Sequence, residues 1–277
     1  MKLIKYFIFA CCATLFFACD SDDDLGESNI TINVQRNEID QWILDNLTKP
    51  YNIEVKYKWD DSELPNDKVL TPPSMDKVIP FLEVLKNVWI ESYEQAGGGT
   101  FVRKYVPKQI ILVGSKSFND NGTITQGTAE GGRKVVLYQI NEFKKSDKEF
   151  LKRLFHVMHH EFGHILHQQV LYPDEYKMIT PAGYTAAWMN VSLQDALNEG
   201  FITPYAKNII DDDWVEMIAT MLTNSKAEYD AIVAQASANG QKIIREKESY
   251  LAAYFDQVWN IDIYALQTDI HNRISQQ

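Results

Sequence analysis

The segment from Ser146 to His167 constrains this chain most, because apolar residues recur along it every three or four positions while histidines gather on the other side. At 100° per residue, Leu151, Leu154, Phe155, Met158, Phe162 and Ile165 form one stripe of a helix, and His160 and His164 fall roughly opposite. One face must pack into a core, and the other must find a partner for its imidazoles. Within the helix, His160-Glu161-Phe162-Gly163-His164 fits the pattern H-E-x-x-H. A spacing of four puts the two rings about 6 Å apart along the axis, close enough to converge on one ion, and zinc suits the pair. Glu161 stands beside the first ring, where it can take a proton from water acidified by such an ion. Gly163 reads as keeping bulk away from the metal pair. Ser146, with Glu149 three residues later, reads as a capping box that starts the helix.

His156 and His167 also point to the ligand side. His160 and His167 are separated by about 10 Å of helix rise, so one ion cannot take all of these rings. His156 and His167 therefore read as cleft or supporting residues, and His159 as a flank.

A catalytic zinc has three protein ligands and one open position, so a third ligand must come from elsewhere. All three cysteines, Cys11, Cys12 and Cys19, lie near the N-terminus, which excludes thiolate ligands and disulfides downstream. Ile165-Leu166-His167 breaks the metzincin continuation of the motif. A carboxylate remains, and the candidates lie in Asp211-Asp212-Asp213-Trp214-Val215-Glu216, where a helix starts and one aspartate is expected to cap it. Glu199 in Asn198-Glu199-Gly200 lies 35 residues past His164 and reads as a loop or helix end.

The N-terminus reads as an address. Lys2 and Lys5 precede an apolar run, Phe7 to Ala18, too short to span a bilayer, which needs about 20 residues. Residues 1–18 therefore read as a lipoprotein signal peptide. The run ends at Ala18-Cys19, with Cys19 as the lipidation site, and Asp20-Ser21-Asp22-Asp23-Asp24 follows. Cys11 also follows an alanine, but cleavage there would leave too short an apolar segment. Residues 19–29 read as a flexible acidic tether, with structure expected from Ile30.

The 277 residues can bury one large core or two modest lobes, and 45 % hydrophobic content is ordinary for a globular chain. With 27 basic against 38 acidic residues the net charge is −11, which argues against nucleic acid as a partner. A helix is expected around Glu38 to Leu47. Alternation from Tyr51 to Trp59 predicts a half-buried strand, and Lys77 to Gln95 predicts a core-facing helix stopped by Gly97-Gly98-Gly99. Further strands are expected at Gln109 to Val113 and Lys134 to Ile140, the latter as the cleft edge that pairs with an extended substrate. From about Asp212 to Ile274 the pattern is helical. The expected class is α+β, with an N-terminal mixed α/β lobe, a central H-E-x-x-H helix and a helical C-terminal lobe. The lobes cover about 30–168 and 169–277 and flank a cleft.

These residues together resemble the substrate-import-associated zinc metallohydrolase lipoproteins, a gluzincin-like family of zinc-binding metallopeptidases that shares a layout with anthrax-lethal-factor-like and Pro-Pro endopeptidases. In such relatives a tyrosine follows the motif, and seven residues later a ligand glutamate opens an E-x-x-x-E helix. Here Tyr205 precedes Asp212 by seven, and Glu216 follows Asp212 by four. The resemblance spans the leader and roughly residues 145–225. It implies a zincin-like fold and zinc held by His160, His164 and Asp212. It further implies Glu161 as general base, Tyr205 as oxyanion donor, and Glu216 orienting a ligand histidine. Aspartate in place of glutamate at 212 leaves Glu216 open as the alternative ligand. The resemblance also implies a peptide or protein substrate, a lipid anchor in the outer membrane facing the cell exterior, and a TonB-dependent import complex nearby. A reading from a different class is a catalytically inactive surface binding component of a nutrient-uptake complex, with 14 Tyr and 6 Trp available for stacking on ligands.

Overall fold

The computed structural model describes residues 35–277 apart from 121, 131 and 132. The expected signal peptide, Cys19, the tether and a start near Ile30 lie outside these residues. Asn37 opens helix α1 (Glu38–Ile43), its side chain accepting from the Asp40 amide at 2.7 Å. A wide turn and a last helical turn, Lys49–Tyr51, carry the chain to Asn52, whose φ of 57° ends the helix. The expected long strand is therefore short. Its first residues close a helix, and only β1 (Glu54–Lys56) pairs.

Helix α2 (Met75–Leu85) runs through a second wide turn, Lys86–Ile90, into α3 (Glu91–Tyr105). The three glycines kink this helix instead of stopping it. Gly98 takes a φ of 83°, and helix resumes to Tyr105 because Phe101 and Val102 return to the core. The chain then forms β2 (Gln109–Leu112), a small hairpin of β3 (Ser117–Phe118) with β4 (Ile124–Thr125), then β5 (Gly127–Glu130) and β6 (Lys134–Leu137).

The main sheet has the order β1-β2-β6-β5. β1, β2 and β6 are parallel, and β5 is antiparallel to β6. This corrects the expected cleft edge: β6 is internal, buried at Val135, Val136 and Leu137, and β5 is the edge. Gly127 of β5 lies against the next helix, where an added Cβ would sit 2.6 Å from Val157 Cγ1.

That helix is α4 (Lys148–Gln169). Its cap is Asp147, which accepts from the Phe150 amide at 2.9 Å, so the Ser146–Glu149 capping box does not form. The apolar stripe packs as its period predicts. Phe162 meets Trp89 and Tyr93 edge-on at 5.4 and 4.8 Å between centroids.

The second half is helical: α5 (Leu193–Asn198), α6 (Ile210–Thr223), α7 (Lys226–Ala234), α8 (Ala238–Trp259) and α9 (Ile263–Gln276). One hydrophobic cluster runs from Ile39 to Ile274 and joins both halves. α6 lies at its centre, buried from Asp212 to Thr223. Gly163 is where α4 and α6 meet. A Cβ there would stand 2.8 Å from Val215 Cγ1, so this glycine permits helix contact and does not clear space beside the histidines. No described helix is long and apolar enough to cross a membrane.

Candidate metal centre

Two helices, each offering side chains four residues apart, build the site. α4 presents His160 and His164, and α6 presents Asp212 and Glu216. On each helix that spacing puts both groups on one face. His160 Nε2 and His164 Nε2 stand 3.2 Å apart, and Asp212 Oδ1 lies 3.9 and 3.4 Å from them. These three residues offer ligand atoms that all lie within 4.8 Å of one another. Tetrahedral zinc with bonds near 2.0–2.1 Å separates its ligand atoms by about 3.3 Å, so the donor set fits that ion. Its chemistry, two imidazoles and one carboxylate, fits as well.

The atoms behind these donors are held too. The Glu216 carboxylate can only accept, so both rings that face its Oε1 donate to it: His160 from Nδ1 at 2.8 Å and His156 from Nε2 at 2.9 Å. This fixes the His160 tautomer and leaves its Nε2 lone pair toward the metal position. Thr203 donates to the other Glu216 oxygen at 2.6 Å. Burial works against a charge on Glu216, but the two histidines outweigh it and hold the carboxyl far below its ordinary range. On the other ligand, His164 Nδ1 and His167 Nε2 are 3.0 Å apart. Asn208 donates to Asp212 Oδ2 at 2.6 Å, which leaves Oδ1 toward the histidines. Burial of Asp212 is likewise outweighed by His164 and Asn208, and its carboxyl is lowered.

Asp212, not Glu216, is therefore the carboxylate that faces both Nε2 atoms. Glu216 sits behind His160. None of the three aspartates caps α6 through its side chain, contrary to the sequence expectation, because each has another partner. Asp211 accepts from Tyr172, Asp212 faces the histidines, and Asp213 pairs with Lys247. Glu199 ends α5 and pairs with Lys207, away from this cluster.

Glu161 is half-buried, and burial raises its carboxyl despite the nearby imidazoles. Tyr205 stacks on His160, centroids 5.6 Å apart, and Trp188 packs edge-on against Tyr205 at 4.8 Å. Burial, with Asp212, Glu216 and Glu161 nearby, pushes the Tyr205 phenol up to about 12, so it stays protonated. Sequence reasoning brought the motif, Tyr205, Asp212 and Glu216 into view and missed Thr203, Asn208 and Trp188. Asn208 carried the one available signal, standing four residues before Asp212 at the start of a helix. His159 faces the core, its Nδ1 3.0 Å from the Tyr93 hydroxyl, and burial, with His156 nearby, lowers it to about 3.

The comparisons agree with this geometry. Residues 32–264 match the model of a family described as "Putative zinc-binding metallo-peptidase". A crystal structure from Bacteroides caccae, described in the same words, aligns with 35 % identity and a TM-score of 0.76, covering 88 % of this chain and 97 % of that one. No curated protein matches. A family match over most of the described residues, together with two helices closing a histidine and aspartate donor set of zinc geometry, leads to one conclusion: the chain belongs to this family of zinc-binding metallopeptidases.

Proposed function

We propose that the protein hydrolyses amide bonds of peptide or protein substrates, with zinc held by His160, His164 and Asp212. The observation that carries this reading is the convergence of those three ligand atoms with Glu161 next to His160 in the chain. When bound, zinc would supply Lewis acidity, the means to polarise a carbonyl and to make water a competent nucleophile near neutral pH. Glu161 would take a proton from the attacking water and pass it to the departing amine. Burial raises its carboxyl, which makes it a stronger base. Tyr205, protonated and stacked over His160, donates a hydrogen bond to the oxyanion of the tetrahedral intermediate. Glu216 and His156 keep the His160 ring in place.

The test compares wild type with Glu161→Gln on a peptide library, with zinc content measured for both. Cleavage lost with zinc retained is the expected result, and equal cleavage by both proteins overturns the mechanism. Stacking on glycans or peptides without stoichiometric zinc would instead support the surface binding component.

The leader supports a further part of the proposal. Lipid on Cys19 anchors the body in the outer membrane, facing the exterior near a TonB-dependent import complex. Labelling with radioactive palmitate should mark the wild type and not Cys19→Ala, and equal labelling would refute the anchor.

A further inference from the structure

A cleft of about 530 Å³ lies where the end of α3, the starts of β2 and β6, and the end of α4 come together. Lys104, Lys108 and Arg133 line it, with Gln168 and Gln169 from α4 and a floor that includes Val106 and Ile165. None of the described residues lining it is a carboxylate. In a chain with 38 acidic side chains and a net charge of −11, three cations gathered without an acid need a physical reason. The negative end of α4 offers partial compensation, an effect that fades within one helical turn.

The donors here are also largely unspent. Lys108 gives a hydrogen bond to the Arg103 carbonyl, and Lys104 lies 5.0 Å from the Tyr105 ring centroid. The side chains of Arg133, Gln168 and Gln169 make no hydrogen bond or ion pair with the described residues. Burial of Lys108 lowers its ammonium with no acid nearby to offset the loss. Three cations and two amides thus converge on one concave surface with no carboxylate among the described residues that line it.

We propose that this cleft binds an anionic group, a phosphate, sulfate or carboxylate carried by a larger ligand, through Lys104, Lys108 and Arg133. Arginine can grip an oxyanion with two parallel N–H bonds, and lysine adds a point charge. In a molecule of net charge −11, three cations in one cleft favour a discrete anionic group over an extended polyanion, which the acidic remainder would repel. The ligand set excludes His160, His164 and Asp212, so the proposal stands apart from the hydrolytic reading.

The test is isothermal titration of inorganic phosphate into the zinc-loaded full chain at low ionic strength, where screening is weak. The double variant Lys108→Ala/Arg133→Ala should bind phosphate roughly tenfold more weakly or worse, with zinc content and melting temperature unchanged. Should Lys108→Ala disturb the fold, the exposed Arg133→Gln alone should still weaken binding. Co-sedimentation with phosphatidylglycerol vesicles but not phosphatidylcholine vesicles, lost in the variant, would assign the anion to a lipid headgroup. Phosphate binding without vesicle binding would assign it to a soluble ligand, and both results support the site. No phosphate binding by wild type, or equal binding by wild type and variants, overturns it.

Discussion

Asp212 and Asp213 are consecutive residues of one helix, both buried, and they solve the same electrostatic problem differently. Asp213 meets Lys247 at 2.6 Å with both side chains fully buried, and Tyr184 donates to it at 3.0 Å. Burial pushes the Asp213 carboxyl up and the Lys247 ammonium down, and their contact offsets part of that. Asp212 turns to two imidazoles whose Nε2 atoms stand 3.2 Å apart. One side of α6 carries its own cation, and the other is shaped to take an ion from solution. A buried carboxylate is thus structural or functional according to whether the chain itself supplies the opposite charge.

Four experiments test this contrast. The largest effect is expected at Glu161, which belongs to neither ion pair. Glu161→Gln should lower kcat by about 10²–10⁴-fold on a cleaved peptide while zinc content and Tm stay at wild-type values. Next, Lys247→Met removes the built-in cation and strands Asp213. Denaturant unfolding should show a loss of roughly 3–5 kcal/mol, largely recovered by pairing it with Asp213→Leu. If instead Lys247→Met leaves stability unchanged, the two sides of α6 are not distinguished by charge.

On the metal side, Glu216→Gln keeps the shape behind His160 but removes the carboxylate. Competition with a chelator should show zinc held about 10–100-fold more weakly. The smallest effect concerns a carboxylate at the surface. Burial disfavours ionised Glu228, but the Lys152 ammonium and the Ser225 amide and hydroxyl outweigh this and lower it to about 2. A lowered folded value means stability present above pH 4.5 and lost as pH falls towards 2. Glu228→Gln should flatten that part of the stability profile by only about 0.5 kcal/mol, since solvent screens a side chain this exposed.

The contrast also explains what could be read without coordinates. The α4 helix was legible because two signals coincide there, an apolar period and a ligand spacing. Asp212 was legible only through the family resemblance, which sets a tyrosine seven residues before the ligand, since three aspartates in a row look alike in a sequence. Lys247 was not legible at all. It sits in Arg245-Glu246-Lys247-Glu248, four charged residues in a row, and only tertiary packing shows Lys247 and Glu248 turned inward, Lys247 with no exposure. The edge strand β5 was missed for a related reason. Gly127-Thr128-Ala129-Glu130 has almost no apolar content, because a strand on the rim of a sheet pairs through its backbone. The first strand was overextended because alternation continued into residues held by a helix end at Asn52.

Gly163 sets a limit on how this centre can change. The Val215 side chain of α6 lies so close to α4 there that a methyl group would have to displace it. The reach between imidazoles and aspartate is therefore governed by a contact that touches none of them. An engineer seeking room for a bulkier ion would gain little by exchanging ligands, and an alanine at this one position should loosen the grip on zinc without altering a single donor atom.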